Sequence, residues 1–162
     1  MRTSARAVRV ALAASFVLGA IAGCGSPAPD PRFATPAKTV ETLLGAYGLD
    51  GVSQQEIQRR LRARQPFRLQ DAAAYHACFT EFQGEVSEAY AGFVVGALAA
   101  GREDIRVTII DDVANVFPTP RVRVVMKRTD AGWKIDLEQS VPAEIRAQFQ
   151  DIARRAEKKA GH

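Results

Sequence analysis

Few side chains in this sequence are suited to chemistry near neutral pH, and they are scattered. His76 is the only histidine in the interior of the sequence; the other is His162. A histidine titrates near neutrality and can act as a general base, and with Tyr75 beside it the pair would suit a cavity where a proton is moved. No acid is placed by the sequence to orient His76, which falls at the edge of a helix face carrying Phe79, so packing is the preferred reading. Asp111 and Asp112 are adjacent. Neighbours in a strand point to opposite faces, so they form no paired-carboxylate site and read as turn residues. One interior histidine and no clustered carboxylates give no metal motif and call for no cofactor. Cys78 lies on an apolar face with Phe79 and Phe82 and has no basic group nearby to activate it, which favours a buried, inert thiol over a nucleophile. Arg59, Arg60, Arg62, Arg64 and Arg68 are the densest basic run. They could touch anionic headgroups; the blander reading is a solvated helix face, balanced by Glu85, Glu88, Glu103 and Asp104.

The N-terminus has a different character. Residues 1–9 are short and basic, residues 10–22 are apolar except for Ser15 and Gly19, and small residues follow. This is the order of a secretory signal, and the apolar stretch is short for a membrane-spanning helix, which needs about 20 residues. Its end, Ile21-Ala22-Gly23-Cys24, resembles the lipobox of bacterial lipoproteins. That resemblance implies cleavage after Gly23 and a diacylglyceryl group on the Cys24 thiol, hence attachment to a membrane of the bacterial cell envelope. More than one acyl chain makes such attachment firm. Gly25 stands where an aspartate would favour inner-membrane retention in enteric bacteria, so the outer membrane is slightly favoured. A thioether at Cys24 leaves Cys78 without a disulfide partner in the chain.

The signal also explains the charge. The chain carries 22 basic and 18 acidic residues, a net +4. Arg2, Arg6 and Arg9 belong to the signal, and without them 19 basic residues face 18 acidic ones. The remainder is nearly neutral, so the basic balance is no argument for nucleic acid. The 47% hydrophobic content allows one domain with a real core.

Positioning these residues falls to the elements that follow. Residues 24–34, with Pro27, Pro29 and Pro31, read as an extended tether. Thr35 with Pro36 opens a helix with Val40, Leu43, Leu44 and Tyr47 on one face and Gly48 at its close. Ser53 with Glu56 is a capping box for a shorter helix that ends near Pro66. Asp71 caps a third helix, with Tyr75, Cys78, Phe79 and Phe82 on its face and Gly84 at its end. A fourth runs from Glu85 to about Ala100, and its small-residue stripe of Ala89, Gly92 and Gly96 predicts close approach by the sheet. The period then shifts to two. Ile105, Val107 and Ile109 alternate with Arg106 and Thr108; a strand near residues 113–117 precedes the break at Pro118-Thr119-Pro120. Val122, Val124 and Met126 alternate with Arg121, Arg123 and Lys127. Trp133, Ile135 and Leu137 alternate with Lys134, Asp136 and Glu138, which predicts the first three inward. Pro142 opens a last helix with Ile145, Phe149, Ile152 and Ala156 on one face.

This order predicts an α+β domain over residues 35–160, with N-terminal helices packed against a curved antiparallel meander of about four strands and a C-terminal helix. The Thr35-Pro36 helix, the Ala73-Ala74-Tyr75 helix, the Asp112-Val113-Ala114-Asn115-Val116 hairpin and the Gly132-Trp133-Lys134-Ile135 strand resemble the nuclear-transport-factor-2-like superfamily, which includes the SnoaL-type cyclases. The resemblance spans residues 35–137; residues 53–64 look like an inserted helix and residues 142–160 like an extension. It implies a cone-shaped fold around a cavity, used by some members for isomerase or cyclase chemistry and by others only for binding, so fold alone does not decide function. The expected function is a non-enzymatic accessory domain on a membrane that binds a partner protein or a small apolar ligand. The alternatives are a cavity enzyme using Tyr75 and His76, and a structural envelope component. A polar cavity holding His76 would favour the enzyme; a filled core with an exposed apolar patch would favour partner binding.

Overall fold

The structure, a computed structural model, describes residues 30–160. The signal, Cys24 and residues 24–29 of the expected tether lie outside the described residues. The rest of that tether is not extended. Pro31–Phe33 is a turn of 3-10 helix, capped by the Asp30 carboxylate on the Arg32 amide, and Phe33 is buried in the core. Burial of Phe33 and the bond from Thr42 Oγ1 to the Arg32 carbonyl at 3.1 Å hold this turn against α1.

The domain is α+β, with helices first, then an open antiparallel sheet, then a C-terminal helix. Helices α1 (Pro36–Gly45), α2 (Gln54–Arg62) and α3 (Ala72–Ala77) start where the sequence places their caps. Thr35, Ser53 and Asp71 each accept a backbone N–H three residues on. Helix α3 is shorter than its apolar pattern suggests. Beyond Ala77 the chain extends, and Phe79 makes a parallel bridge with Ile135 instead of continuing the helix. Long-range backbone bonds won over local helix propensity there. Gly84, at φ +65, opens α4 (Gly84–Ala100) and does not merely close α3.

Strands β1 (Arg106–Ile110), β2 (Val113–Thr119), β3 (Val122–Thr129) and β4 (Gly132–Asp136) form a sheet in simple sequential order. Strand β2 runs through Pro118 to Thr119 across a register shift between Val116 and Thr119, so Pro118 bends the ladder without ending it, and Pro120 lies in the turn that follows. The core lies between α1, α4 and the sheet, with Leu43, Val94, Leu98, Val116, Val124, Met126 and Ile135 fully buried.

Several expectations need correction. The small-residue stripe of α4 is not where the sheet approaches, because a side chain at Gly92 or Gly96 would meet nothing within 4 Å. The close approach is one residue past the helix, at Gly101, where a Cβ would lie 1.8 Å from the Pro118 carbonyl oxygen. Trp133, Ile135 and Leu137 are buried as expected, but so are the alternates Lys134 and Asp136, and Leu137 belongs to the short helix α5 (Leu137–Ser140) rather than to the strand. Helix α6 (Ala143–Ala160) packs on α4 through its first half, where Phe149 meets Tyr90; Ile152 is 62% exposed. At the other edge of the sheet all five residues of β1 are exposed, including the expected core residues Val107 and Ile109.

Candidate functional site

The Tyr75–His76 pair does not assemble into a cavity site. Tyr75 is fully buried at the centre of an aromatic cluster with Tyr47, Phe79 and Phe82, and its hydroxyl donates to Glu88 Oε2 at 3.0 Å. Burial pushes its phenol well above the ordinary tyrosine range, so it holds its proton. His76, one residue on along α3, is exposed and its ring stacks at 4.7 Å on Phe82. Adjacent helical residues are about 100° apart around the axis, so burying Tyr75 turns His76 toward solvent. Neither residue lines either of the two grooves described below.

Cys78 is a buried free thiol whose Sγ bonds the Ala74 carbonyl at 3.2 Å, and burial pushes its pKa up to about 12. It is inert by environment. Asp111 and Asp112 form the two-residue turn between β1 and β2, with Asp111 at φ 53 and the Asp112 carbonyl accepting from Arg128 N at 2.8 Å. The basic run lies on and just after α2. Arg59 and Arg60 both pair with Glu56 at 2.7 Å, lowering that carboxyl to about 2, while Arg62, Arg64 and Arg68 are exposed. Arg59 and Arg62 border a shallow depression of about 800 Å³. Among the described residues there is no group of three metal-ligating side chains, and no helix is long and apolar enough to cross a membrane.

What the structure builds instead is an open groove of about 970 Å³. Its origin is the early end of β4. The last pair between β3 and β4 is Val125 with Asp136, so the first residues of β3 have no strand on that side. The chain folds into α5, with Asp136 capping Gln139 N at 3.0 Å, and Ser140 Oγ takes the Val125 amide at 2.9 Å in place of a strand. Helix α6 then leaves across the N-terminal part of α4. The space between them is floored by Val86, Tyr90, Leu137 and Val141 and bordered by Arg121, Arg123, Lys127 and Arg146.

The charges in this groove are unevenly satisfied. Lys127 bonds Asp136 at 2.7 Å, which raises the lysine pKa. Arg146 reaches Glu138 only at 3.4 Å, and its Nε is buried without a hydrogen-bond partner among the described residues. Arg121, in the turn before β3, and Arg123, in its open segment, are exposed. The third acid, Glu81, stands on the loop before α4. Two exposed guanidinium groups without ion pairs among the described residues, beside a third held only weakly, are suited to receive carboxylates, which arginine binds in a planar, bidentate manner.

Sequence reasoning passed over this groove. Arg121 and Arg123 were visible as the polar alternates of a strand, but only tertiary structure sets them beside Arg146 and the N-terminal part of α4. Comparison with protein-family models, with curated proteins and with solved structures finds no match to this chain.

Proposed function

We propose that this chain is a lipid-anchored protein of the bacterial cell envelope whose domain binds, without chemistry, an acidic segment of a partner protein in the groove between α4, β3 and the α5–α6 turn. The anchor rests on the Ile21-Ala22-Gly23-Cys24 motif behind a basic and apolar leader. The order of helices before a meander agrees with the resemblance to the nuclear-transport-factor-2-like superfamily, and we take the domain as a binding member of it. The observation that carries the binding reading is the meeting of three guanidinium groups at one groove: Arg121 and Arg123, exposed and without an ion pair among the described residues, and Arg146, paired only at 3.4 Å with Glu138. The openness of the groove and its charged lining, four cations against Glu81, Asp136 and Glu138, favour a protein segment over the small apolar ligand. The solvent position of His76 and the buried, protonated Tyr75 weigh against the isomerase or cyclase reading.

Two arms test this. Palmitate should label the wild type in a bacterial host and not Cys24→Ala; equal labelling removes the anchor. A photo-reactive residue at Gln83, on the groove, should give a discrete adduct in whole cells, while one at Arg64, beyond α2, should not. The Gln83 adduct should disappear with Arg121→Glu plus Arg123→Glu and fade as salt is raised. An adduct indifferent to both changes rejects the acidic partner. Turnover of enolisable ketones by the wild type, lost in His76→Gln at unchanged melting temperature, would replace binding by catalysis.

A further inference from the structure

The free edge of the sheet has a pattern that the groove does not explain. Among the described residues strand β1 pairs on one side only, with β2. Its apolar residues are exposed on both faces: Val107 at 40% and Ile109 at 53% on the face that β2 turns to the core, and Ile110 at 62% on the other. The strand contains no lysine, proline or bulge, and Arg106 is its one charged side chain, so few of the usual devices that keep an edge from pairing are present.

The register fixes which backbone groups are open. Ile110 and Val113 flank the two-residue turn Asp111-Asp112, so they are a hydrogen-bonded pair, and every second residue from Ile110 bonds toward β2. The amides and carbonyls of Val107 and Ile109 therefore point away from the sheet. Two antiparallel copies of this edge match when Val107 of one faces Ile109 of the other, giving about four backbone hydrogen bonds around a two-fold axis at Thr108. The same register joins Val107 and Ile109 of both copies into one apolar strip. It also sets Arg106 opposite Ile110 of the second copy and diagonal to its Asp112, within reach of a long side chain. Neither Arg106 nor Asp112 has an ion pair among the described residues.

We propose that β1 is a self-association strand, at which two copies of this chain pair edge to edge and antiparallel about Thr108, joining their sheets into one. Backbone register, apolar strip and end charges select the same alignment, and a second copy supplies all three at once. A five-residue edge is small beside the ~800 Å² per partner of a standard interface, so the dimer is concentration-dependent.

The test uses the purified full-length chain in mild detergent. Thr108 sits on the axis at a non-hydrogen-bonded position, where Cα atoms are about 4.5 Å apart and a disulfide fits. On mild oxidation Thr108→Cys should become a disulfide-linked dimer, while Ile110→Cys, whose counterpart lies several residues away, should stay at the wild-type level; Cys24 is common to all three samples and sets that baseline. By sedimentation the wild type should dimerise and Ile109→Lys should raise the dissociation constant at least tenfold at unchanged melting temperature. A wild type that is monomeric at all accessible concentrations, or equal cross-linking at 108 and 110, overturns the proposal.

Discussion

The two edges of the sheet are built from similar sequence and end in opposite states. At β4 every residue is buried; at β1 every residue is exposed. Both segments alternate aliphatic or aromatic residues with polar ones, and by pattern alone both should be half-buried. The difference lies in what covers them. Residues 78–80 close the outer edge of β4, with Ile135 N donating to the Cys78 carbonyl at 2.8 Å and Thr80 N donating to the Ile135 carbonyl at 3.0 Å. Phe33 covers the end of the strand so tightly that a Cβ on Gly132 would lie 2.3 Å from its carbonyl oxygen. Lys134, although charged, is held by the Ala77 carbonyl and rests on the Phe33 ring, at the cost of a pKa pushed down by burial. Among the described residues no such cover reaches β1. Alternation tells which side of a strand is apolar; it does not tell whether anything is laid on that side.

The largest expected effect of breaking this contrast is at β4. Trp133→Ala should cost about 3–5 kcal/mol in urea unfolding, because the ring is buried and the surroundings cannot collapse into its place. A loss under 1 kcal/mol would mean that β4 is no better covered than β1.

A pH effect of intermediate size sharpens the same point. The native Cys78 thiol keeps its proton to about 12, whereas the unfolded one loses it near roughly 8.5. Between those values the native state binds more protons, so stability falls as pH rises, by about 1.4 kcal/mol per unit for this group. Wild type should therefore lose stability more steeply than Cys78→Ala from about pH 9 upward. Burial lowers the Lys134 pKa, which acts in the opposite sense below the ordinary lysine value; because Cys78 and Lys134 interact, the difference between the two proteins reports the pair. Parallel curves would show that the segment covering β4 opens readily in the native state.

The smallest effect belongs to β1. Ile109→Thr in dilute protein, where the chain is a monomer, should change stability by no more than about 0.5 kcal/mol, as for other exposed positions. A loss like that at Trp133 would mean that β1 is covered after all.

Much of this architecture was written locally. The caps at Thr35, Ser53 and Asp71, the turns at Asp111-Asp112 and before Gly132, and the change of period near Ile105 placed the elements and their order, because each depends on hydrogen bonds and sterics within a few residues. The inert state of Cys78 was legible too, from the apolar helix face on which it falls. The charge and the Ile21–Cys24 motif raised the envelope reading without any folded structure. The candidate site was not legible. Arg121, Arg123 and Arg146 belong to different elements, and their meeting depends on where β4 stops and how α5 turns, which are consequences of long-range pairing. Exposure of His76 beside a buried Tyr75, burial of Lys134 and exposure of β1 were likewise decided by which surfaces other elements reach. A sequence carries the period of its side chains along one strand or helix; the contacts that cover or uncover them are made with residues tens of positions away, and only the tertiary structure supplies those.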